Sequence, residues 1–263
     1  MRGSFEEAIM MNAENGHFVW WEHLTKDVKG AIAFYGEAVG LKTQAFDNDY
    51  TMWVGPEGPI GGVMELPAEA AKMGAPPHWM GSVKVANVDE TVALVTKLGG
   101  KVYKAAWDIP TVGRVAVLGD PQGAGFVAFQ GDLKAPDPER EGNPSWNELV
   151  TTDDKAAWSF YSQVFGWTSV EEMDMGPMGT YRIFAKGEKQ LGGMMKQPPG
   201  MNAPPVWMFY FATNDIDGAV ARATRLGAKV LHGPADVPGG GRIVNLMDPQ
   251  GAAFAFFEHP KKS

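Results

Sequence analysis

The stretch FVWWEHLTKDVKGAIAFYGEAVGL, residues 18–41, returns as PSWNELVTTDDKAAWSFYSQVFGW, residues 144–167. The two align without a gap. Trp20 falls on Trp146, Glu22 on Glu148 and Phe34-Tyr35 on Phe160-Tyr161, and 146 − 20 and 160 − 34 both equal 126. Aromatic, acidic and small residues matched at one offset mark an internal duplication, so the chain is to be read as two copies of one unit. Within each copy the first residues are strand-like, His17–Leu24 in the first. Asp27 then caps a helix whose apolar Ala31, Phe34, Tyr35 and Ala38 recur at spacings of three and four until Gly40 stops it.

Working outward, IGGVM from Ile60 returns as LGGMM from Leu191, and PPHWM from Pro76 as PPVWM from Pro204. GR-VAVLGDPQGAGFVAF from Gly113 returns as GR-IVNLMDPQGAAFAFF from Gly241, with 248 − 120 and 242 − 114 both equal to 128. Three short strands are predicted near 42–47, 50–54 and 61–66. A second module follows: a strand over Trp79–Val85, a helix over Val88–Leu98 stopped by Gly99-Gly100, and strands near 101–106, 114–119 and 124–129. Asp120-Pro121-Gln122-Gly123 supplies the last turn, Pro fixing φ and Gly free to take a positive one. Between the copies KAPDPEREGNP, residues 134–144, has no apolar periodicity and reads as a linker. The expected domains are therefore 15–133 and 143–260, with 134–142 between them, each able to fold if the linker is cut.

Apolar residues make up 44% of the 263 and charged ones 21%, enough for a proper core. A net charge of −8, with Lys and Arg thinly spread, disfavours nucleic acid as a partner, since phosphate contacts need a basic face. The absence of cysteine removes disulfides, thiolate metal sites and a cysteine nucleophile, and suits a cytoplasmic location. The opening MRGSFEEAIMMNAENG has acids where a signal peptide needs an apolar stretch, and no later run is long enough to span a bilayer. No membrane partner is expected.

In these marks the chain resembles the vicinal oxygen chelate superfamily, which includes glyoxalase I, extradiol dioxygenases, and the fosfomycin and bleomycin resistance proteins. The marks are AFYGEAVGL and SFYSQVFGW ending the first helix, LGGKV and LGAKV after the second, and the DPQGAGF and DPQGAAF hairpins. The two halves look like its duplicated, antigen-type members. The resemblance implies an α+β fold of four βαβββ modules, arranged as two tandem domains with concave mixed sheets. It also implies a divalent metal held by His, Gln or Glu on the concave face. Matching the motifs puts the first-strand ligand position at Trp20 and Trp146, the fourth-strand one at Glu65 and Lys196, the fifth-strand one at Met80 and Met208, and the last at Val127 and Ala255. Indole, thioether and alkyl groups do not hold Zn, Ni or Fe, so no metal and no other cofactor is expected.

Glu22 and Glu148 lie two residues beyond Trp20 and Trp146 and hence on the same strand face. In a sheltered cavity such a carboxylate becomes a general base; alternatively the pair is kept for a structural hydrogen bond. Trp20, Trp53, Trp79, Trp146 and Trp207 suit either a platform for a planar ligand or an ordinary core. His78 has the parity of Met80 and either enters the first pocket or stays in a solvated loop. Arg114 and Arg242 either clamp an anion or make strand-edge salt bridges. Met64, Met80, Met194, Met195 and Met208 suit an adaptable apolar pocket or simple gap-filling. The candidate ligand-binding set is thus Trp20, Trp53, Glu65, His78, Met80, Trp146, Met194, Lys196, Met208 and Tyr210.

Two functional classes follow. One is a module that sequesters or senses a small apolar or aromatic molecule, as bleomycin-resistance relatives do. The other is a metal-independent isomerase, lyase or hydrolase in which Glu22 or Glu148 abstracts a proton. Four modules in one chain match what two-module relatives achieve as dimers, so a monomer is the expected state.

Overall fold

The computed structural model describes residues 15–47, 50–201 and 203–260. The start of MRGSFEEAIMMNAENG lies outside them. Strand β1 (Phe18–Thr25) leads into helix α1 (Val28–Ala38), whose first turn is closed by the Asp27 carboxylate accepting from the Gly30 amide at 2.9 Å. Strands β2 (Lys42–Asp47), β3 (Tyr50–Gly55) and β4 (Gly58–Glu65) follow, then a short helix α2 (Ala68–Lys72) that the sequence pattern did not announce. The next module is β5 (His78–Lys84), α3 (Val88–Lys97), β6 (Lys101–Ile109), β7 (Gly113–Gly119) and β8 (Gly125–Gly131). The second repeat gives β9 (Pro144–Thr151), α4 (Asp154–Phe165), β10 (Thr168–Asp174), β11 (Thr180–Lys186) and β12 (Lys189–Lys196), then β13 (Val206–Thr213), α5 (Ile216–Arg225), β14 (Lys229–Asp236), β15 (Arg242–Met247) and β16 (Ala253–Glu258).

Backbone hydrogen bonding follows the repeats. One eight-stranded sheet runs β2-β3-β4-β1-β5-β8-β7-β6 and the other β10-β11-β12-β9-β13-β16-β15-β14. Both are mixed, with β1–β4, β5–β8 and β13–β16 parallel among antiparallel hairpins. The architecture is the α+β one expected, with a βαβββ order in each of the four modules. Each DPQG turn closes its hairpin through the aspartate: Asp120 accepts from the Gly123 and Ala124 amides, and Asp248 from those of Gln250 and Ala252.

The compact units do not run along the repeats. Among the described residues, one runs through 15–20, 81–135 and 148–207, the other through 21–80, 136–147 and 208–260. In the first unit α3 packs against α4, and in the second α1 packs against α5. The core of the first unit is aromatic: Phe126 meets Phe160, Tyr161 and Phe165 edge-on, and Phe18 meets Trp167 and Trp207. In the second unit Phe254 meets Phe34 and Tyr35 in the same manner. Each helix thus buries its FY pair against a strand contributed by the other repeat.

Candidate functional site

Strand register assigns faces to the candidate residues. Glu22 pairs with Gly62, and Gly62 with Met52, so Glu22, Gly62, Met52, Tyr50 and Met64 share one face. There the Tyr50 hydroxyl donates to Glu22 Oε2 at 2.8 Å. In the second repeat Tyr181 pairs with Met195 and Ile183 with Gly193, and the Tyr181 hydroxyl donates to Glu148 Oε2 at 2.9 Å. The same glutamate–tyrosine pair therefore occurs twice, in both cases beside a glycine.

The opposite face is core. His23 pairs with Val63 and Thr25 with Glu65, which puts Glu65 on the face away from Glu22. Glu65 is exposed and borders an open groove of about 410 Å³ with Lys26, Leu66, Pro67, Ala68 and Ala71. Trp53 and Met194 are fully buried on that same core side; Trp53 packs on Tyr35 and Trp79, and Met194 pairs with Arg182. Trp79 and Trp207 are likewise buried, their indole N–H groups donating to the Tyr35 and Tyr161 hydroxyls at 2.9 and 3.1 Å. Lys196 is exposed. His78 is partly buried, with Nδ1 2.7 Å from the Pro76 carbonyl; burial holds its pKa below the ordinary value, against the Pro76 contact and with help from nearby His23. Trp20 and Met80 are partly buried.

Three of the candidates do come together. Met208 and Tyr210 form one apolar cluster with Ala255, against which Trp146, Ile243, Ala253 and Phe257 pack. The first repeat has a matching cluster of Val19, Val115 and Phe129, packed by Trp107, Ile109, Val112, Val127 and Leu133. Both places matched to the family's last metal ligand, Val127 and Ala255, thus lie in hydrocarbon. Among the described residues no three His, Cys, Asp or Glu side chains converge as a ligand set. The donors present do not fit a divalent metal at these positions.

The arginines tie strands to helix starts. Arg114 donates to Asp89, in the first turn of α3, and to Asp108; Arg242 does the same to Asp217, in the first turn of α5. Their guanidinium groups are engaged by carboxylates, the salt-bridge alternative of the two open in the sequence.

One polar constellation escaped the sequence reading. In the second unit the Tyr35 hydroxyl donates to Asp248 Oδ2 at 3.0 Å, and His23 Nε2 lies 3.4 Å from the same oxygen; all three residues are buried. Burial lowers the His23 pKa, with Asp248 opposing. Burial pushes the Asp248 carboxyl up, but His23 and the Ala252 and Gln250 amides outweigh it and leave it below the ordinary value. In the first unit Asp120 meets Tyr161 in the same way, but Leu149 stands where His23 does, and burial leaves Asp120 above its ordinary value. The signal was present in the repeat, where Tyr and the DPQG aspartate recur together. They are far apart in sequence, and only packing joins them.

Comparison with known proteins agrees with the geometry. Residues 145–256 match the model of the Glyoxalase/Bleomycin resistance protein/Dioxygenase superfamily. CFP32 of Mycobacterium tuberculosis (strain CDC 1551 / Oshkosh), whose name marks it as a candidate glyoxylase, is 32% identical over 246 residues, 90% of this chain and 92% of that protein. The anthracycline biosynthesis protein DnrV of Streptomyces peucetius is 32% identical over 188 residues, 70% of this chain and 67% of DnrV. Among solved structures, homoprotocatechuate 2,3-dioxygenase from Arthrobacter globiformis superposes with a TM-score of 0.69 at 15% identity, over 94% of this chain and 80% of that one. The Mn(II)-bound glyoxalase from Novosphingobium aromaticivorans gives 0.66 at 15%, over 94% and 83%. At such identity these two structures speak for the fold alone. The chain belongs to the glyoxalase, bleomycin resistance protein and dioxygenase superfamily.

Proposed function

We propose that the protein binds a small apolar or aromatic molecule at the sheet face carrying Trp146, Met208 and Tyr210 and at the first-repeat cluster of Val19, Val115 and Phe129, without a metal, as a cytoplasmic monomer. The observation that carries this reading is the chemistry at the matched ligand places, where Val127 and Ala255 sit in apolar clusters. Hydrocarbon and indole recognise apolar bodies through buried area and do not coordinate cations. Elemental analysis and native mass spectrometry of protein purified without chelator test it. Far less than one divalent ion per chain is expected. About one tightly held Zn, Ni or Fe per chain would overturn the reading.

A second reading rests on the two Tyr–Glu contacts. Glu22 or Glu148 serves as the base of a metal-independent isomerase, lyase or hydrolase, with the tyrosine hydroxyl orienting the carboxylate. Glu22→Gln and Glu148→Gln separate the two. For a binding module, affinity should stay within about tenfold, ~1.4 kcal/mol. For an enzyme, turnover should fall on the order of a hundredfold or more in at least one of the two variants.

A further inference from the structure

A lysine is seldom buried without an anion beside it, because an ammonium taken out of water loses hydration that only a matched partner restores. Lys84, the last residue of β5, is 5% exposed. Its Nζ donates to the Leu133 carbonyl at 3.2 Å, and among the described residues it has no other acceptor and no carboxylate within ion-pair reach. An ammonium carries three N–H donors, so two are left over. The fold itself does not ask for the cation: the matching residue of β13 is Ala212, and 212 − 84 is the same 128. Register shows what surrounds the ammonium. Lys84 pairs with Phe129, Phe129 with Val115 and Val115 with Trp107, one row across β5, β8, β7 and β6. The neighbouring row is Ser82, Val127, Val117 and Lys104. Residues opposite one another across strands share a face, so this one carries hydrocarbon between two cations and no carboxylate. Leu133 packs on the same cluster, and Lys104 Nζ lies 3.8 Å over the Trp107 ring. Asp108, the acid of β6, has the opposite parity and accepts from Arg114. All these residues belong to one compact unit.

We infer that this face takes a small monocarboxylate with an apolar body, the carboxylate at the Lys84 ammonium and the body against Val117, Val127 and Trp107. The inference rests on the small-molecule reading above and names the ligand class of its first-repeat site. Val117, Val127 and Trp107 are only partly buried, which leaves the apolar rows open on one side. A carboxylate is acceptor-only and supplies what the two remaining N–H groups lack. One negative charge answers one buried ammonium. A phosphate dianion needs more donors than Lys84 has left, and Lys104 stands three strands away, roughly 14 Å by strand spacing, too far to share one phosphate. The second repeat has Ala212 and the exposed His232 at the two lysine places, so this preference belongs to the first repeat.

The test is a calorimetric titration of the whole protein with two probes of one shape, 2-naphthoate and the uncharged 2-naphthamide. Wild type should hold a site that binds 2-naphthoate more tightly than 2-naphthamide by on the order of tenfold or more. Lys84→Met keeps the apolar stem and removes the charge. It should bring the two probes to within about threefold of each other at that site, with a circular dichroism spectrum like that of wild type. Should this variant fail to fold, Lys84→Ala, which copies Ala212, takes its place. Binding of 2-naphthamide as tight as that of 2-naphthoate at every wild-type site overturns the inference yet leaves the apolar-pocket reading standing. A preference for 2-naphthoate that survives the loss of Lys84 also overturns it, because the lysine then serves only the Leu133 carbonyl. Binding of neither probe overturns both readings.

Discussion

At the scale of single residues the decisive group is His23. It is completely buried, 3.4 Å from Asp248, with Tyr35 donating to the same carboxylate, Trp79 tilted against it and His78 near enough to disfavour a second charge. Burial holds its folded-state pKa below 6.5, so just below that pH the unfolded chain binds a proton that the folded chain excludes. The stability linked to His23 is therefore full above about pH 6.5 and falls as pH drops from there toward the lowered folded value. His23→Leu, which copies Leu149 of the other repeat, removes that proton. The expected outcome is a melting temperature that declines less between pH 7 and 5.5 than in wild type, measured by circular dichroism. An identical pH slope in both proteins would show that His23 titrates alike in the folded and the unfolded chain.

At the scale of elements, the helices and hairpins were legible in the sequence and the strand faces only partly so. Asp27, Asn87, Asp153 and Asp215 each cap a helix with a side-chain oxygen, because cap chemistry is local and satisfies amides one turn away. The GlyGly strands are different. Matching IGGVM to the family's ligand strand placed Glu65 and Lys196 toward the ligand, whereas register puts them on the face opposite Glu22 and Tyr181, which Met64 and Met195 share. Side chains alternate with a period of two, so a single residue decides between core and cavity. Glycine gives no apolar cue at the positions where that parity would be read.

At the scale of the whole molecule, hydrogen bonding and packing divide the chain differently. Each sheet belongs to one repeat, but α1 buries Phe34 and Tyr35 against Phe254 and Asp248, and α4 buries Phe160 and Tyr161 against Phe126. Either half made alone, 15–133 or 143–260, therefore exposes an aromatic helix face that the other half covers. The expected outcome is that a single half lacks a cooperative melting transition, while the two co-expressed halves associate and regain one; calorimetry of each preparation checks it. A sharp transition in an isolated half would mean that the sheet of one repeat is a sufficient folding unit. Sequence alone determined the duplication, the βαβββ order, the capped helices and the DPQG turns, because each is written in residue type and short spacing. Tertiary structure alone decided which repeat covers which helix, that Tyr35 and Asp248 meet around His23, and that tyrosine, glutamate and glycine come together twice. Those contacts join residues far apart in the chain, 213 positions between Tyr35 and Asp248. At such separations the partner is selected by shape and burial in the packed core, and no local pattern in the chain encodes that choice.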